Sequence, residues 1–204
     1  MNDNKLKLIL VRHGETEWNK EGRYQGQKDS PLTSKGKDQA AQSASKVLAY
    51  LEEHNEINNI VIYSSPLGRA RATAEIIAGT LGIPNKNIIF DDSLKEFDYG
   101  IFEGELKSFC QTYYAEIFDA REANKWFYQI EQGESYEMLA RRLSLWIQSL
   151  KRWRGKTIIV VAHEMLNRTL RGLYLGLEYD ETLKLKQPND RVLLLEKGKE
   201  KILF

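Results

Sequence analysis

Three histidines occur among the 204 residues, and two of them follow directly on apolar, β-branched runs. Leu6-Lys7-Leu8-Ile9-Leu10-Val11 runs straight into Arg12-His13-Gly14, and Thr157-Ile158-Ile159-Val160-Val161-Ala162 runs into His163. A third run, 59–63, leads to Ser64-Ser65-Pro66 and then Arg69. A fourth, 87–90, leads through a loop to Glu96. Around a phosphate these residue types have a common chemistry. A neutral imidazole can attack phosphorus and carry the phosphoryl group. A guanidinium presents a rigid fork of donors, each charge-assisted bond contributing about 1.5–3 kcal/mol. A carboxylic acid that protonates the departing oxygen contributes about 10²–10⁴-fold. Arg12 closing an apolar strand is costly without an anionic partner, which favours a pocket role over a bare sheet edge. The residues alone do not choose between Arg69 and its neighbour Arg71. Nor do they choose Glu96 over Asp91, Asp92 and Asp98, since an acidic loop is ordinarily just solvated.

The elements that would position these side chains alternate strand and helix, which predicts an α/β fold with a mostly parallel central sheet and helices on both faces. Sites in such sheets form at the carboxyl ends of strands, where the residues above fall. Helical spacing of Ala40, Ala44, Val47, Leu48 and Leu51 predicts a helix starting near Thr33 or Ser34. Ser65-Pro66 reads as an N-cap followed by proline at the first helical position, in a helix reaching about Leu81. Such a helix start would add backbone N–H groups for an anion. Further helices are expected through Leu106, Phe109, Tyr113 and Ile117, over 135–152, and over 165–175. The Gly198 turn joins residues 191–195 and 201–204 in a terminal hairpin. No linker or repeat interrupts the chain, so 1–204 reads as one domain with a lid insertion at about 100–132.

Four motifs carry a family resemblance. Val11-Arg12-His13-Gly14-Glu15-Thr16-Glu17-Trp18-Asn19 resembles the opening signature of the histidine phosphatase superfamily, in its phosphoglycerate-mutase-like branch. Ser64-Ser65-Pro66-Leu67-Gly68-Arg69-Ala70 with Thr73-Ala74, Leu94-Lys95-Glu96-Phe97-Asp98-Tyr99-Gly100 with Phe102-Glu103-Gly104, and Val160-Val161-Ala162-His163 resemble the next three, in order and in register. The resemblance implies a phosphohistidine mechanism with His13 as nucleophile, and with Arg12, Arg69 and His163 around the phosphate. It implies Glu96 as proton donor to the leaving group and then as base for water. Asn19, Gln25 and Gly26 fall where the family contacts phosphate or substrate. No metal and no cofactor are implied.

Resemblance does not fix the reaction. A mutase of this family returns the phosphoryl group to a second acceptor and carries a longer insertion with paired arginines. Here 25 residues separate Lys107 from Gly133, with Arg121 the sole arginine among them. That favours a phosphomonoesterase acting on small phosphorylated metabolites, with a cofactor-dependent phosphoglycerate mutase as the alternative; Lys107 and Tyr99 align with mutase positions. A non-catalytic phospho-ligand domain would lack His13 or Glu96, and a dinucleotide-binding strand would be followed at once by a glycine fingerprint that Gly22 and Gly26 do not supply. Glu164 stands where many members have glycine. It would repel phosphate if it pointed inward, and is expected to open the next helix facing away. Glu103, Glu105, Glu116, Asp119 and Glu122 read as a solvated face, His54 as surface, and the aromatics between Phe102 and Tyr128 as packing with a few facing substrate.

Thirty Lys and Arg against 29 Asp and Glu give no bulk case for nucleic acid or an anionic membrane, so the expected partner is a small phosphate ester. The one cysteine, Cys110, excludes an internal disulfide framework and points to the cytoplasm. The short apolar run 8–11 is no signal segment, and no stretch is long enough for a membrane span.

Overall fold

The computed structural model describes residues 6–203, so the N-terminal methionine and the expected Phe204 end of the hairpin lie outside it. Six strands form one sheet in the order β3-β2-β4-β1-β5-β6. These are β1 (Lys7–Arg12), β2 (Ile60–Ser64), β3 (Ile88–Phe90), β4 (Thr157–Ala162), β5 (Val192–Glu196) and β6 (Lys199–Leu203). The first four are mutually parallel; β5 runs antiparallel to β1, and β6 antiparallel to β5. The fold is the predicted mixed α/β one.

Both faces of the sheet are covered, and side-chain alternation along the strands decides what covers them. Leu8 and Leu10 of β1 enter one core with Leu139, Leu143, Leu166 and Leu170. Ile9 and Val11 enter the other with Ala44, Val47, Leu51, Ala74 and Ile77. So α6 (Tyr136–Ser149) and α7 (Glu164–Leu175) lie on one face, and α2 (Ser34–Glu53) and α3 (Gly68–Thr80) on the other. All six residues of β4 are buried, as a central strand covered twice requires. Burying each Leu or Ile side chain of β1 and β4 contributes about 1.5–3 kcal/mol.

This topology makes the crevice. β1 and β4 are neighbours, yet the chain leaving β1 goes to α2 on one face and the chain leaving β4 goes to α7 on the other. A gap therefore opens between their carboxyl ends, the switch point at which such sheets bind ligands. Hydrogen bonds beyond the strand ends fix what stands there: His13 N–H donates to Ala162 O at 3.0 Å, and Ser65 N–H to Val161 O at 3.0 Å.

Several elements differ from the sequence reading. The second motif's helix begins at Gly68, after an uncapped Leu67, and not at Ser65-Pro66. Ser65 Oγ instead accepts from Leu67 N–H at 3.3 Å and meets His163. The expected helix through 106–117 is two, α4 (Lys107–Tyr113) and α5 (Ala115–Ala123), broken at Tyr114, whose backbone (φ −110°, ψ 37°) is not helical. The helix over 135–152 is α-helical only to Ser149, then tightens into a 3₁₀ turn. Two short helices carry too few apolar positions to show a period: α1 (Glu17–Glu21), opened by a Thr16–Asn19 capping box, and α8 (Tyr179–Lys184). Among the described residues no helix is long and apolar enough to cross a membrane.

Candidate active site

The crevice closes into a small cavity of about 70 Å³. Its wall includes Arg12, His13, Asn19, Gln25, Gly26, Arg69 and Glu96, seven of the eight residues predicted for the site. His163, the eighth, is fully buried beside His13, with ring centroids 5.2 Å apart. A larger apolar groove of about 870 Å³ lies between the 29–32 loop and α3; it touches Arg69 but neither histidine.

His13 is presented in one tautomer, and its partners say which. Nδ1 lies 2.7 Å from the carbonyl of Gly14, which can only accept, so Nδ1 carries the proton. Nε2 lies 3.3 Å from Nε of Arg69, which can only donate, so Nε2 holds its lone pair toward the guanidinium. Burial, with Arg69 and Arg12 beside it, holds the ring well below the usual histidine range. Asn189 Nδ2 donates to the His13 carbonyl at 2.6 Å and fixes the backbone.

Arg69 is only 1% exposed and gathers the loop after α1. Its Nη1 donates to Lys28 O at 2.7 Å and Asp29 Oδ1 at 2.9 Å, and its Nη2 to Gly26 O at 2.6 Å. The same loop is held from the other side by Glu103, which accepts from the Gln27 N–H at 2.6 Å and the Lys28 N–H at 3.0 Å. Glu103 is therefore buried rather than part of a solvated face, because two loop amides and the Tyr99 N–H need its acceptors. Gly26 is forced by this clamp. It has φ +56°, and a Cβ there would stand 1.8 Å from Glu103 Oε1. Gln25 accepts from Thr16 Oγ1 at 3.0 Å, and Asn19 Oδ1 is committed to the Thr16 capping box.

Glu96 is delivered by the loop after β3 onto the N-terminus of α7. Its Oε1 accepts from Phe97 N–H at 2.9 Å and Leu166 N–H at 3.0 Å, and Oε2 from Met165 N–H at 3.2 Å. Burial nonetheless raises its carboxyl above the ordinary value, against the pull of those amides and of Arg69. Arg142 fixes the strap that carries Glu96, donating to the carbonyls of Ser93, Lys95 and Glu96 while paired with Glu134.

His163 Nε2 lies 2.8 Å from Ser65 Oγ, and its buried Nδ1 has no partner among the described residues. Burial and the nearby Arg69 keep this ring neutral too, well below the usual range. The Nε of Arg12 is likewise buried and without a partner among the described residues. Arg12 stands on the cavity wall, and His163 packs beside His13 just behind it.

Arg23, Tyr24, Tyr99, Lys107, Glu164 and Met165 complete the wall. Arg23 and Tyr24 were missed; their signal was the position inside the polar Gly22–Gly26 loop. None of the aromatics between Phe102 and Tyr128 lines the cavity, which takes Tyr24 and Tyr99 instead. Phe102 and Trp126 are core, while Phe109, Tyr113 and Phe127 are exposed. Glu164 does open α7, but it does not face away: Oε2 lies 3.0 Å from Arg12 Nη1, and Oε1 3.5 Å from Arg168 Nη2. Arg71 stays outside, its guanidinium 4.3 Å over the Phe90 ring, and His54 stacks on Tyr50 at the surface.

Residues 8–203 match the family model of the histidine phosphatase superfamily, branch 1. The chain belongs to that family. The probable phosphoglycerate mutase GpmB of Escherichia coli O1:K1 / APEC is 37% identical over 177 residues, covering 84% of this chain and 76% of that protein. YhfR of Bacillus stearothermophilus shares 30% identity at a TM-score of 0.81, over 97% of this chain and 95% of that one. The fold is also that of the alpha-ribazole phosphatase of Shigella flexneri, at 22% identity and TM-score 0.80 over 97% and 94% of the two chains. A mycobacterial glucosyl-3-phosphoglycerate phosphatase aligns at 25% identity and TM-score 0.79, over 97% of each chain. So this is a histidine phosphatase fold whose relatives bear both phosphatase and mutase names.

Proposed function

We propose that the protein is a phosphomonoesterase working through a phosphohistidine, on small phosphorylated metabolites. One observation carries the reading. The His13 Nε2 lone pair faces Arg69 in a cavity whose wall also holds a buried carboxyl of raised pKa, Glu96. In the first step Nε2 attacks phosphorus, the bond from phosphorus to the ester oxygen breaks, and Glu96 gives that oxygen its proton. Oε2 is the oxygen suited to carry the proton, since Oε1 already accepts two N–H bonds and Oε2 one. When phosphorus takes the Nε2 lone pair, the Arg69 Nε–H loses its acceptor and turns to a phosphoryl oxygen. Arg12 Nε and, in the tautomer protonated there, His163 Nδ1 supply further donors to the developing charge. In the second step the Glu96 carboxylate takes a proton from water as its oxygen attacks phosphorus, the N–P bond breaks, and His13 leaves neutral.

The charges of the wall support a single phosphate as the anchored group. Arg12 is paired with Glu164, Arg69 with Asp29, and Arg23 with Glu21. A bisphosphate-handling mutase needs a second set of unneutralised cations, and the one lid arginine, Arg121, lies outside the wall and pairs with Glu122. The mutase reading keeps one support besides the relatives' names: Lys107 stands on the wall with no ion pair among the described residues. A panel of phosphate esters assayed for free phosphate, with and without 2,3-bisphosphoglycerate and 3-phosphoglycerate, tests the proposal. Release from several esters supports it; isomerisation without release makes the protein a mutase.

A further inference from the structure

Glu164 is the one wall carboxylate that the mechanism does not use. Its position is set from both sides. Arg12 holds it at 3.0 Å through Nη1, and Arg168, one helical turn along α7, holds it at 3.5 Å. Arg12 cannot swing away with it, because the same Nη1 donates to the carbonyl of Gln187 at 2.9 Å. The carboxylate thus stays on a guanidinium that must also serve the phosphate. It shares a cavity of only about 70 Å³ with His13 and Glu96, so a substrate held for the proposed reaction must pass close to it. As an acceptor-only group it can take hydrogen bonds from hydroxyl or ammonium groups there, but a second anion meets both its charge and an Arg12 already neutralised. Lys107 does not cancel this: the residue is exposed, and salt screens its charge.

We infer that Glu164 is a specificity-determining residue, selecting phosphate esters whose nearby body carries hydrogen-bond donors and disfavouring those with a second anionic group next to the ester. The inference rests on the phosphate site proposed above, though not on the fate of the phosphoryl group.

The test uses a matched pair, glycerol 3-phosphate and 3-phosphoglycerate, which differ by a primary alcohol against a carboxylate. Calorimetric binding to His13→Ala protein reads selectivity without turnover, and kcat/KM on the unaltered protein reads it where turnover occurs. The alcohol should be preferred by about tenfold or more, the scale of one like-charge contact at a partly buried site. Glu164→Gln should shrink that ratio about tenfold, chiefly by improving the carboxylate ester, while Glu164→Asp, which keeps the charge, should retain most of it. A ratio unmoved by Glu164→Gln, or both esters improving by one factor, overturns the inference. If neither ester binds any of the proteins, the inference falls together with the phosphate site. Binding of both with no phosphate released from any ester would instead overturn the phosphatase reading alone.

Discussion

Replacing Glu96 by Gln separates the proposed proton delivery from every other role of that carboxyl. The side chain keeps its length, so its carbonyl oxygen can still accept from Phe97 and Leu166. The amide nitrogen then faces the Met165 N–H, which loses its acceptor. One buried donor left unmet costs about 1–3 kcal/mol, readable as a lower urea midpoint. The kinetic effect should depend on the leaving group. A phenolate stabilised by a nitro group departs without help, whereas an alkoxide needs the proton. The loss in kcat/KM should therefore be slight for 4-nitrophenyl phosphate and about 10²–10⁴-fold for an alkyl phosphate. At 1.36 kcal/mol per tenfold, that is about 2.7–5.4 kcal/mol of barrier confined to poor leaving groups. The assay is a series of aryl and alkyl phosphates run on both proteins, with log kcat/KM plotted against leaving-group pKa. Parallel lines would remove Glu96 as the general acid, since they would mean a loss spread evenly over substrates by a displaced α7 terminus.

His13→Ala should abolish turnover of aryl phosphates and any acid-labile phosphoenzyme seen after quenching; substantial residual turnover refutes the nucleophile. His13 and His163 are both held below the usual range, so the unfolded chain takes up protons below pH about 6.5 that the fold refuses. Stability present above that pH should fall as pH drops, toward a limiting slope of about 2.7 kcal/mol per pH unit for two protons. Glu96, raised by burial, works in the opposite sense at lower pH, so the comparison to make is urea unfolding of His13→Ala, whose decline below pH 6.5 should be about half as steep. Gly26→Ala places a Cβ against Glu103 at a left-handed φ; it should cost at least about 1–2 kcal/mol and lower kcat/KM for every ester by a similar factor, whereas unchanged kinetics would mean the loop clamp is idle. EDTA should leave the rate unchanged, since each proton and charge in the proposed steps is handled by a side chain; strong inhibition would call for a metal.

The parts of the site legible in sequence are those whose placement follows from strand ends. His13, Arg12 and His163 each adjoin an apolar run, and parallel pairing of β1 with β4 aligns Arg12 with Ala162, so the two histidines had to meet. Arg69 and Glu96 needed the motif register, because helix periodicity treats Arg69 and Arg71 alike and the acidic loop offers four candidates. What stayed hidden is what two carboxylates reach: Glu103 the amides of a loop, and Glu164 the guanidinium groups of Arg12 and Arg168. Glu103 in a glycine-flanked segment looks solvated until the 26–28 loop folds over it. Glu164 follows the rule that acids favour a helix start, yet the rule is silent on which neighbour the carboxylate then reaches, and Arg12 lies across the strand-to-helix junction.

His13 is oriented by a peptide carbonyl and not by a carboxylate, and the difference bears on the chemistry. A carboxylate on Nδ1 would stabilise the charged ring and raise its pKa. The Gly14 carbonyl fixes the same tautomer with a much weaker pull toward the cation, and burial beside Arg69 and Arg12 overrides it. In the proposed mechanism the ring therefore stays neutral and nucleophilic until a phosphoryl group arrives. Because Arg69 meanwhile donates to Gly26, Lys28 and Asp29 through its other nitrogens, its Nε–H is already aimed when the lone pair is consumed. Little of the electrostatic response then needs to be reorganised during the reaction, which is where preorganised donors gain their advantage over water.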